Sequence, residues 1–272
     1  MLIVACIKQV PDTTQVKIDP DTGTLIREGV PSIINPFDAH ALEESLRLKD
    51  RYGFRVVAIS MGPPGAGMTL RKALALGADD VILLSDRAFG GADTLATSKV
   101  LTAAIERLAL EEELAMVICG KQTIDGDTAQ VGPGIATRLG CSQLTSVDRI
   151  ESVDLQRKRI RVRCKFESRY EILDSGLPAM IAVLREINQP RYPTVPMRLA
   201  AQEAPVKVWD NGVMQLSEDV IGLKGSATAV RRIFSPDRPS GQILGGDTVQ
   251  DPDEAARMLI EKLVSKNIIS LQ

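Results

Sequence analysis

Short apolar runs alternate with amphipathic helical segments through the first half of the chain, and this order restricts the possible folds more than any other feature of the sequence. Four runs are typical of buried parallel strands and lie at residues 2–7, 56–60, 80–84 and 116–119. Helical periodicity occupies residues 38–49, 69–76 and 94–110 between them. Parallel strands are joined by right-handed crossovers through helices, so the order predicts an α/β fold with a doubly wound, mostly parallel sheet.

The loop that follows the last of these runs, from Gly120 to Gly134, is the strongest candidate for a ligand site. Ligands of doubly wound sheets bind beyond the carboxyl ends of the strands, where the loops at 8–11 and 60–65 also belong. A glycine-rich loop that leads into a helix gathers unpaired backbone N–H groups at the positive end of the helix dipole, which favours a phosphate or pyrophosphate. The loop has neither a Walker A lysine nor G-x-G-x-x-G spacing, so its pattern leaves a phosphate site and a plain strand-to-helix turn equally open.

The sequence changes character after Gly140. Residues 144–153 and 159–166 alternate about a polar turn, which predicts an antiparallel hairpin, and residues 177–184 are typical of another buried strand. The basic side chains of the second hairpin strand fall on one face, which favours a solvated surface over a nucleic-acid patch. The formal net charge of −2 supports that choice, because nucleic-acid-binding domains normally carry a basic excess.

Residues 186–251 lack sustained periodicity and contain several prolines. We expect little regular structure there, and a segment of this length is expected to lie on another surface rather than fold against itself. A helix is predicted from about Pro252 to Lys266, with Asp251 as its N-cap. The apolar face of this helix must pack against another apolar surface. That surface could belong to a second subunit or to the parent domain, and the sequence favours neither.

No segment of the sequence indicates a membrane span or a catalytic constellation. No apolar run approaches the roughly 18 residues that a spanning helix needs. The four cysteines, Cys6, Cys119, Cys141 and Cys164, form no CxxC pair, which indicates reduced structural thiols and a cytoplasmic protein. His40, the only histidine, is expected to pack or to lie at the surface rather than to transfer protons. We therefore predict neither a catalytic side chain nor a metal site.

Six segments, in order along nearly the whole chain, resemble the β subunit of electron-transfer flavoproteins. They are Cys-Ile-Lys-Gln-Val-Pro at 6–11, Ile-Asn-Pro-Phe-Asp at 34–38, Ala-Leu-Glu-Glu-Ser at 41–45, Ser-Met-Gly-Pro-Pro at 60–64, Lys-Ala-Leu-Ala-Leu-Gly-Ala-Asp at 72–79 and Gly-Lys-Gln-Thr-Ile-Asp-Gly-Asp at 120–127. The resemblance implies a Rossmann-like, adenine-nucleotide-binding domain. It also implies a heterodimer, in which an α subunit carries one FAD on a mobile domain and the β subunit holds a second adenine nucleotide.

The identity of that second nucleotide divides the family. Simple electron shuttles hold a structural AMP, whereas the electron-bifurcating branch holds a complete FAD that accepts hydride from NADH. Residues 92–98 and 127–133 resemble the bifurcating branch, so FAD is expected and AMP is the alternative. The resemblance implies cofactor-binding residues around each part of the nucleotide: Cys6, Asn35, Pro36, Asp38 and Met61 on the adenosine side, Gly126, Asp127, Thr128, Ala129, Gln130, Val131 and Gly132 around the phosphates, and Thr94 and Thr97 on the flavin side. Gly62 and Asp125 are also expected to bind the cofactor. In the simpler alternatives, Asn35 only shapes the turn before Pro36 and Asp38 caps the helix that follows.

The resemblance also implies a route for the electrons. One electron passes to the α-subunit FAD and on to an acyl-CoA-type or lactate-type flavin dehydrogenase or a quinone reductase, and the other reduces ferredoxin or flavodoxin. Tyr192, Val195, Pro196 and Met197 match the family's partner-docking loop, although Val195 stands where shuttle-type members have leucine. The implied organisation is a nucleotide-binding domain at 1–185, followed at 186–272 by a docking loop and an arm that packs on the α subunit.

Two rival functions remain open. A nucleotide-hydrolysing or ATP-sensing domain of the related α/β superfamily predicts a phosphate-activating loop such as Ser-Gly-Gly-x-Asp-Ser, which the sequence does not contain. A β subunit with a structural AMP is the closer rival, because the sequence does not show whether a cavity admits an isoalloxazine ring.

Overall fold

The computed structural model describes residues 1–12, 17–18, 25–26, 31–229 and 251–270. The chain divides into two compact units, residues 1–232 and residues 233–272. The strands of the described residues are β1 Leu2–Cys6, β2 Gln9–Pro11, β3 Lys17–Ile18, β4 Leu25–Ile26, β5 Ser32–Ile34, β6 Arg55–Met61, β7 Asp80–Leu84, β8 Leu114–Gly120, β9 Ser142–Asp154, β10 Arg159–Lys165, β11 Tyr170–Gly176, β12 Ala179–Val183 and β13 Lys207–Trp209. The helices are α1 Pro36–Tyr52, α2 Gly67–Leu76, α3 Thr94–Ala109, α4 Val131–Leu139, α5 Val195–Glu203, α6 Asn211–Met214 and α7 Pro252–Ser265.

Among the described residues, nine strands form one sheet in the order β11-β10-β9-β12-β8-β1-β6-β7-β13. The pairs from β9 across to β13 are parallel, whereas β9, β10 and β11 form an antiparallel meander at one edge. Small antiparallel pairs join β2 to β5 and β3 to β4. The predicted fold class, a doubly wound and mostly parallel α/β sheet with an antiparallel hairpin, is confirmed.

Helices cover both faces of the sheet because successive strand side chains enter two different apolar layers. Ile3 of β1 belongs to the layer that contains Leu42 of α1. Val4, the next residue, belongs to the layer that contains Ile105 of α3 and Ile135 of α4. The order of strands reverses at β1, since β6 and β7 lie on one side of it and β8 on the other. Such a switch point opens a crevice at the carboxyl ends of the two central strands.

The predicted central strands are confirmed to within two residues at each end. Continuous burial along these strands explains this agreement, because a strand covered on both faces is apolar at every position. The predicted C-terminal helix is also confirmed as α7, and the Asp251 carboxylate accepts the Asp253 N–H at 3.0 Å. Across the described part of the chain, no helix combines the length and the apolar character that crossing a bilayer requires.

Several elements were not predicted, and β11, α5 and β13 are the most informative of them. β11 was not predicted, because this edge strand exposes apolar residues such as Tyr170 and Ile172 and its other face is only partly buried. The expectation of little regular structure after residue 186 is wrong for 186–229, where α5 packs against α2 and β13 pairs with β7. β13 has only three residues and α5 buries only Ala201, so neither shows an apolar periodicity, and tertiary contacts determine both elements. Residues 186–229 lie in the same compact unit as the sheet, where they contact α2 and β7, while residues 230–250 lie outside the described residues.

Candidate functional site

The switch-point crevice lies between the carboxyl ends of β1 and β8, where Cys6, the last residue of β1, is paired with Cys119 of β8. The Lys8 ammonium donates to both carboxylate oxygens of Asp125, at 2.8 and 2.9 Å, and joins the loops that follow these strands. Gln9 donates through Nε2 to the Gly65 carbonyl at 3.3 Å, which adds the loop after β6. The predicted convergence of the three loops is confirmed. We call this region the β1–β8 crevice.

Asn35, immediately before α1, holds the loop after β8. It is fully buried, donates through Nδ2 to the Gln122 carbonyl at 2.9 Å and accepts the Ile124 N–H at 3.3 Å. Its side chain does not cap α1, and Pro36 occupies a first-turn position where a missing N–H costs no helical hydrogen bond. Asn35 therefore does more than shape the turn before Pro36, since both groups of its amide bind the neighbouring loop.

Asp38, in the first turn of α1, joins two of the same loops. Its Oδ2 accepts the Lys8 N–H at 2.8 Å and its Oδ1 accepts the Gly120 N–H at 3.0 Å. The alternative that Asp38 caps α1 is wrong, because Asn35 occupies the N-cap position. Burial raises the pKa of Asp38 from its ordinary value to about 7, although these N–H donors lower it. A carboxyl group that is partly neutral near pH 7 places little negative charge beside the loop.

Protein packing explains two glycines of the candidate loop. A Cβ on Gly120 would lie 2.5 Å from the Phe37 Cβ, and a Cβ on Gly132 would lie 2.9 Å from the Cys119 Sγ. Gly126 differs, because the nearest atom to a Cβ there would be 3.8 Å away. The expectation that glycine leaves room for a ligand at the main chain therefore suits Gly126, whereas Gly120 and Gly132 allow α1 and α4 to approach the sheet.

The loop before α4 leads into a helix N-terminus that no side chain caps within the described residues. Gln130 occupies the N-cap position, but its Oε1 accepts the Thr94 hydroxyl at 2.8 Å instead of capping the helix. The first turn, which begins with Val131, contains no acidic residue. Asp127 and Thr128 are exposed beside it. Free N–H groups and an uncompensated helix dipole give this end of α4 the electrostatics of a phosphate site.

The remaining predicted residues lie around this loop. Met61 and Gly62 end β6 and begin the loop that Gln9 contacts through Gly65. Ala129 adopts a left-handed φ of 56°, which is uncommon for a residue with a Cβ, and turns the chain into α4. Thr97 lies in the first turn of α3 and is half-buried. Thr94 brings the start of α3 to the start of α4 through the bond to Gln130.

Cys6 and Cys119 supply neutral, buried thiols at the ends of β1 and β8. Burial raises the pKa of Cys6 well above its ordinary value and that of Cys119 to about 12. A thiol in this state is a poor nucleophile, because the thiolate is the reactive form. All four cysteines are free, in agreement with the predicted reduced, structural role.

The segment before the predicted docking residues is held against α1. The Arg191 guanidinium donates to both Glu43 carboxylate oxygens, at 2.9 and 3.1 Å, and to Asp50 at 2.8 Å. His40 Nδ1 lies 3.0 Å from the Asn188 Oδ1, and the Asn188 Nδ2 donates to the His40 carbonyl at 3.0 Å. These bonds fix the chain at the point where α5 is about to begin.

The predicted docking residues follow directly. Tyr192 is 94% exposed and Val195 is 69% exposed, although both are apolar or aromatic. Pro196 and Met197 belong to the first turn of α5, which the Thr194 hydroxyl caps at 3.4 Å from the Met197 nitrogen. An anchored segment that exposes an aromatic and a branched apolar side chain is suited to contact with another protein.

Two participants in the crevice, Lys8 and Gln122, lie in the predicted site loops but were not singled out from the sequence. Lys8 carried a detectable signal, because it is the first basic residue after a buried central strand. Its partner Asp125 was predicted as a cofactor residue, but its carboxylate is engaged in this ion pair. Gln122 carried no signal, since it contributes only its main-chain carbonyl.

Comparison with known proteins places the sequence in a defined group. Residues 22–213 match the family described as "Electron transfer flavoprotein domain". Protein FixA of Azotobacter vinelandii is 45% identical over 264 residues, which cover 97% of this chain and 93% of that protein. "Electron transfer flavoprotein subunit beta" of Clostridium acetobutylicum is 47% identical over 270 residues, or 99% of this chain and 100% of that protein. "Caffeyl-CoA reductase-Etf complex subunit CarD" of Acetobacterium woodii is 46% identical over 271 residues, with the same coverage of both chains.

Proposed function

This chain belongs to the electron transfer flavoprotein β-subunit family, and from that premise we propose that it binds FAD in the β1–β8 crevice as part of an electron-bifurcating heterodimer. The observation that carries the proposal is the N-terminus of α4, which is uncapped within the described residues and has no acidic residue in its first turn. The pyrophosphate of a dinucleotide would accept hydrogen bonds there from backbone N–H groups of residues 126–132 and from the Thr128 hydroxyl.

The charges around the crevice favour an anionic ligand. Lys8 neutralises Asp125 by direct contact, and burial keeps Asp38 partly protonated near pH 7. Asp127 is exposed, so solvent and salt screen its charge. The electrostatic repulsion between these carboxylates and a bound phosphate would thus be weak.

Bound FAD would supply an acceptor for hydride from NADH and a source of single electrons for two acceptors, the α-subunit FAD and ferredoxin or flavodoxin. The chain's own residues would bind and orient the cofactor. Asn35 and Asp38 hold the loops after β1 and β8 in place, while Thr94 and Gln130 hold the first turns of α3 and α4 together. Such preorganisation lowers the cost of ordering the site when the cofactor binds.

Two observations favour FAD over AMP. The Thr94–Gln130 bond places the start of α3 next to the loop before α4. A nucleotide that extends beyond its phosphates, as FAD does, would contact α3 there as well as the loop. The Acetobacterium woodii relative is named as a subunit of a caffeyl-CoA reductase–Etf complex. By analogy, we favour a flavin dehydrogenase of the acyl-CoA type as the onward partner, ahead of a lactate-type dehydrogenase or a quinone reductase.

Residues 186–272 would make the contacts with other proteins. Tyr192 and Val195 are exposed on the segment that Arg191 anchors to α1, and we assign the onward partner to this surface. In α7, three consecutive apolar residues, Met258, Leu259 and Ile260, are 37%, 49% and 42% exposed. Apolar side chains that remain exposed on a helix indicate a missing contact, which we assign to the α subunit.

The number of FAD molecules per heterodimer tests the proposed function. The chain is coexpressed with its α subunit and reconstituted with excess FAD, and the cofactors are then extracted and quantified. Two FAD per αβ pair are expected. One FAD with one AMP would contradict bifurcation and leave a one-flavin electron shuttle, whereas one FAD and no second nucleotide would contradict the crevice itself.

The Thr128 hydroxyl is expected to matter for either nucleotide. Thr128→Val removes an exposed donor beside the uncapped N-terminus of α4, and loss of a hydrogen bond to a charged phosphate is expected to raise the dissociation constants of FAD and AMP about 10-fold. Isothermal titration measures both constants. Thr137→Val is the matched control, because that hydroxyl donates to the Pro133 carbonyl within α4. Equal affinities for the two variants would show that the phosphates do not contact Thr128.

A further inference from the structure

Residues 220–228, which we call the arm root, pack against the turn that precedes α3. Ile221 is buried in the apolar layer of α3 and α4. Gly222 has a φ of 54°, and a Cβ at this position would collide with the Ala88 carbonyl oxygen. The Ser226 hydroxyl donates to the Gly222 carbonyl at 2.7 Å and closes the turn. The arm root is therefore a defined structure within the compact unit that contains the sheet.

Asp93 connects the arm root to α3 with both carboxylate oxygens. Its Oδ1 accepts the Ala96 N–H at 3.0 Å and caps α3. Its Oδ2 accepts the Ala227 and Thr228 N–H groups at 2.8 and 2.9 Å, and the Thr228 hydroxyl at 3.1 Å. The Asp93 N–H donates in return to the Ser226 hydroxyl at 2.8 Å. One side chain thus holds the first turn of α3 and the arm root in a single arrangement.

Thr94, the next residue, reaches the β1–β8 crevice. Its hydroxyl donates to Gln130, which occupies the N-cap position of α4. Direct contacts therefore run from the arm root through Asp93 and Thr94 to the end of the loop where the nucleotide phosphates would lie. If the arm root left Asp93, the first turn of α3 would lose four hydrogen bonds that fix its position.

We propose that Asp93 is a positioning residue of the nucleotide site and couples nucleotide binding to docking of the arm root. The inference rests on the proposed nucleotide site, and it holds for FAD and AMP alike because both place phosphate at the same loop. When the arm root is docked, the first turn of α3 and the start of α4 are already in position, so the nucleotide binds without the cost of ordering them. Linkage requires the reverse effect as well, so the nucleotide stabilises the docked arm root by the same factor.

Asp93→Asn tests this coupling in the full-length chain, purified with its α subunit. Asparagine keeps an oxygen that caps α3 but replaces Oδ2 with an NH2 group, which cannot accept from Ala227 and Thr228. We expect the dissociation constants of FAD and AMP to rise about 10-fold, within the usual range of coupling between sites. Hydrogen exchange at the Ala227 and Thr228 amides is expected to accelerate.

The reciprocal effect separates coupling from a merely structural role. In the unmodified protein, saturating FAD is expected to slow exchange at the Ala227 and Thr228 amides about 10-fold, whereas in Asp93→Asn it leaves the exchange unchanged. Asp210→Asn is the matched control, because Asp210 caps α6 by accepting the Val213 N–H at 2.9 Å, and it is expected to alter neither quantity. Thr228→Val removes one donor to Oδ2 and is expected to give a smaller change in the same direction.

Three outcomes would overturn the inference. Faster exchange in Asp93→Asn with unchanged nucleotide affinity would show that the arm root and the crevice are independent. Unchanged exchange at both amides would show that Asp93 does not hold the arm root. An unmodified heterodimer that binds neither nucleotide in the crevice would refute the proposed site together with the inference, and this result differs from a failure that appears only in the variants.

Discussion

Gly120→Ala is expected to lower the free energy of unfolding by about 1–3 kcal/mol, the usual cost of inserting a methyl group into a packed site. A Cβ there would lie 2.5 Å from the Phe37 Cβ, 2.7 Å from the Phe37 carbonyl carbon and 2.6 Å from the Asp38 Oδ1. The nearest groups include backbone and a buried carboxylate, so a side-chain rotation cannot relieve the overlap. The start of α1 must move away from β8, and the bonds that Asn35 and Asp38 make to the loop are expected to weaken.

Nucleotide binding should suffer as well, because the displaced loop is the one that would hold the phosphates. We expect the affinity for either nucleotide to fall at least about 10-fold, which corresponds to the loss of one good hydrogen bond to a charged group. Urea denaturation and isothermal titration measure the two effects. Gly65→Ala is the matched control, because a Cβ on Gly65 meets no atom within 4 Å. If both variants were equally stable and bound nucleotide equally well, neither the stability nor the nucleotide site would depend on the close approach of α1 to β8.

The stability of the protein is expected to fall as the pH rises from about 4 to about 7, with Asp38 as a main cause. Burial raises the folded-state pKa of Asp38 to about 7, well above the ordinary 3.8 of an unfolded chain. The folded state therefore binds more protons than the unfolded state across this interval, so raising the pH favours unfolding. A difference of about three pKa units corresponds to a contribution on the order of 4 kcal/mol.

Asp38→Asn isolates this contribution. At pH 5 the variant is expected to be less stable than the unmodified protein, because an amide cannot accept from both the Lys8 and Gly120 N–H groups. The deficit should shrink as the pH approaches 8, since only the unmodified protein must ionise a buried carboxyl group. Urea denaturation from pH 5 to pH 8 gives the difference in the free energy of unfolding between the two proteins as a function of pH. His40→Gln serves as the control, because it replaces the only histidine of the sequence and leaves Asp38 and its two N–H donors in place. If the free energy of unfolding changed with pH in the same way for Asp38→Asn and the unmodified protein, Asp38 would be ionised from pH 5 to pH 8.

The central sheet could be predicted because its signal is local. Each of β1, β6, β7 and β8 is nearly fully buried, so its apolar run marks the strand without knowledge of its neighbours. The hairpin of β9 and β10 follows from alternation about a polar turn in the same way. β13 has three residues, and α5 buries only Ala201, so neither presents an apolar pattern that could be recognised. β13 is stabilised by pairing with β7, and α5 is stabilised by packing against α2.

The candidate site was identified as a set of residues before their interactions could be known. The family resemblance selected Asn35, Asp38 and the loop after β8. It did not show that Asn35 binds Gln122, 87 residues away, or that Asp38 accepts from Gly120, 82 residues away. The resemblance includes Asp93 in the segment 92–98, but it did not show that the Asp93 Oδ2 accepts from Ala227 and Thr228, 134 and 135 residues further along the chain.

The sequence alone determined the alternation of strands and helices, the position of a glycine-rich loop at the carboxyl end of a central strand, and the family. These properties depend on side chains a few residues apart, whose burial repeats with the period of the element. Only the tertiary structure decided that Gly120 and Gly132 face protein atoms, that Asp38 is buried between two loops, and that Asp93 holds the arm root. The partner of a polar side chain is set by which distant segments the fold brings within about 3 Å, and no local periodicity encodes that choice.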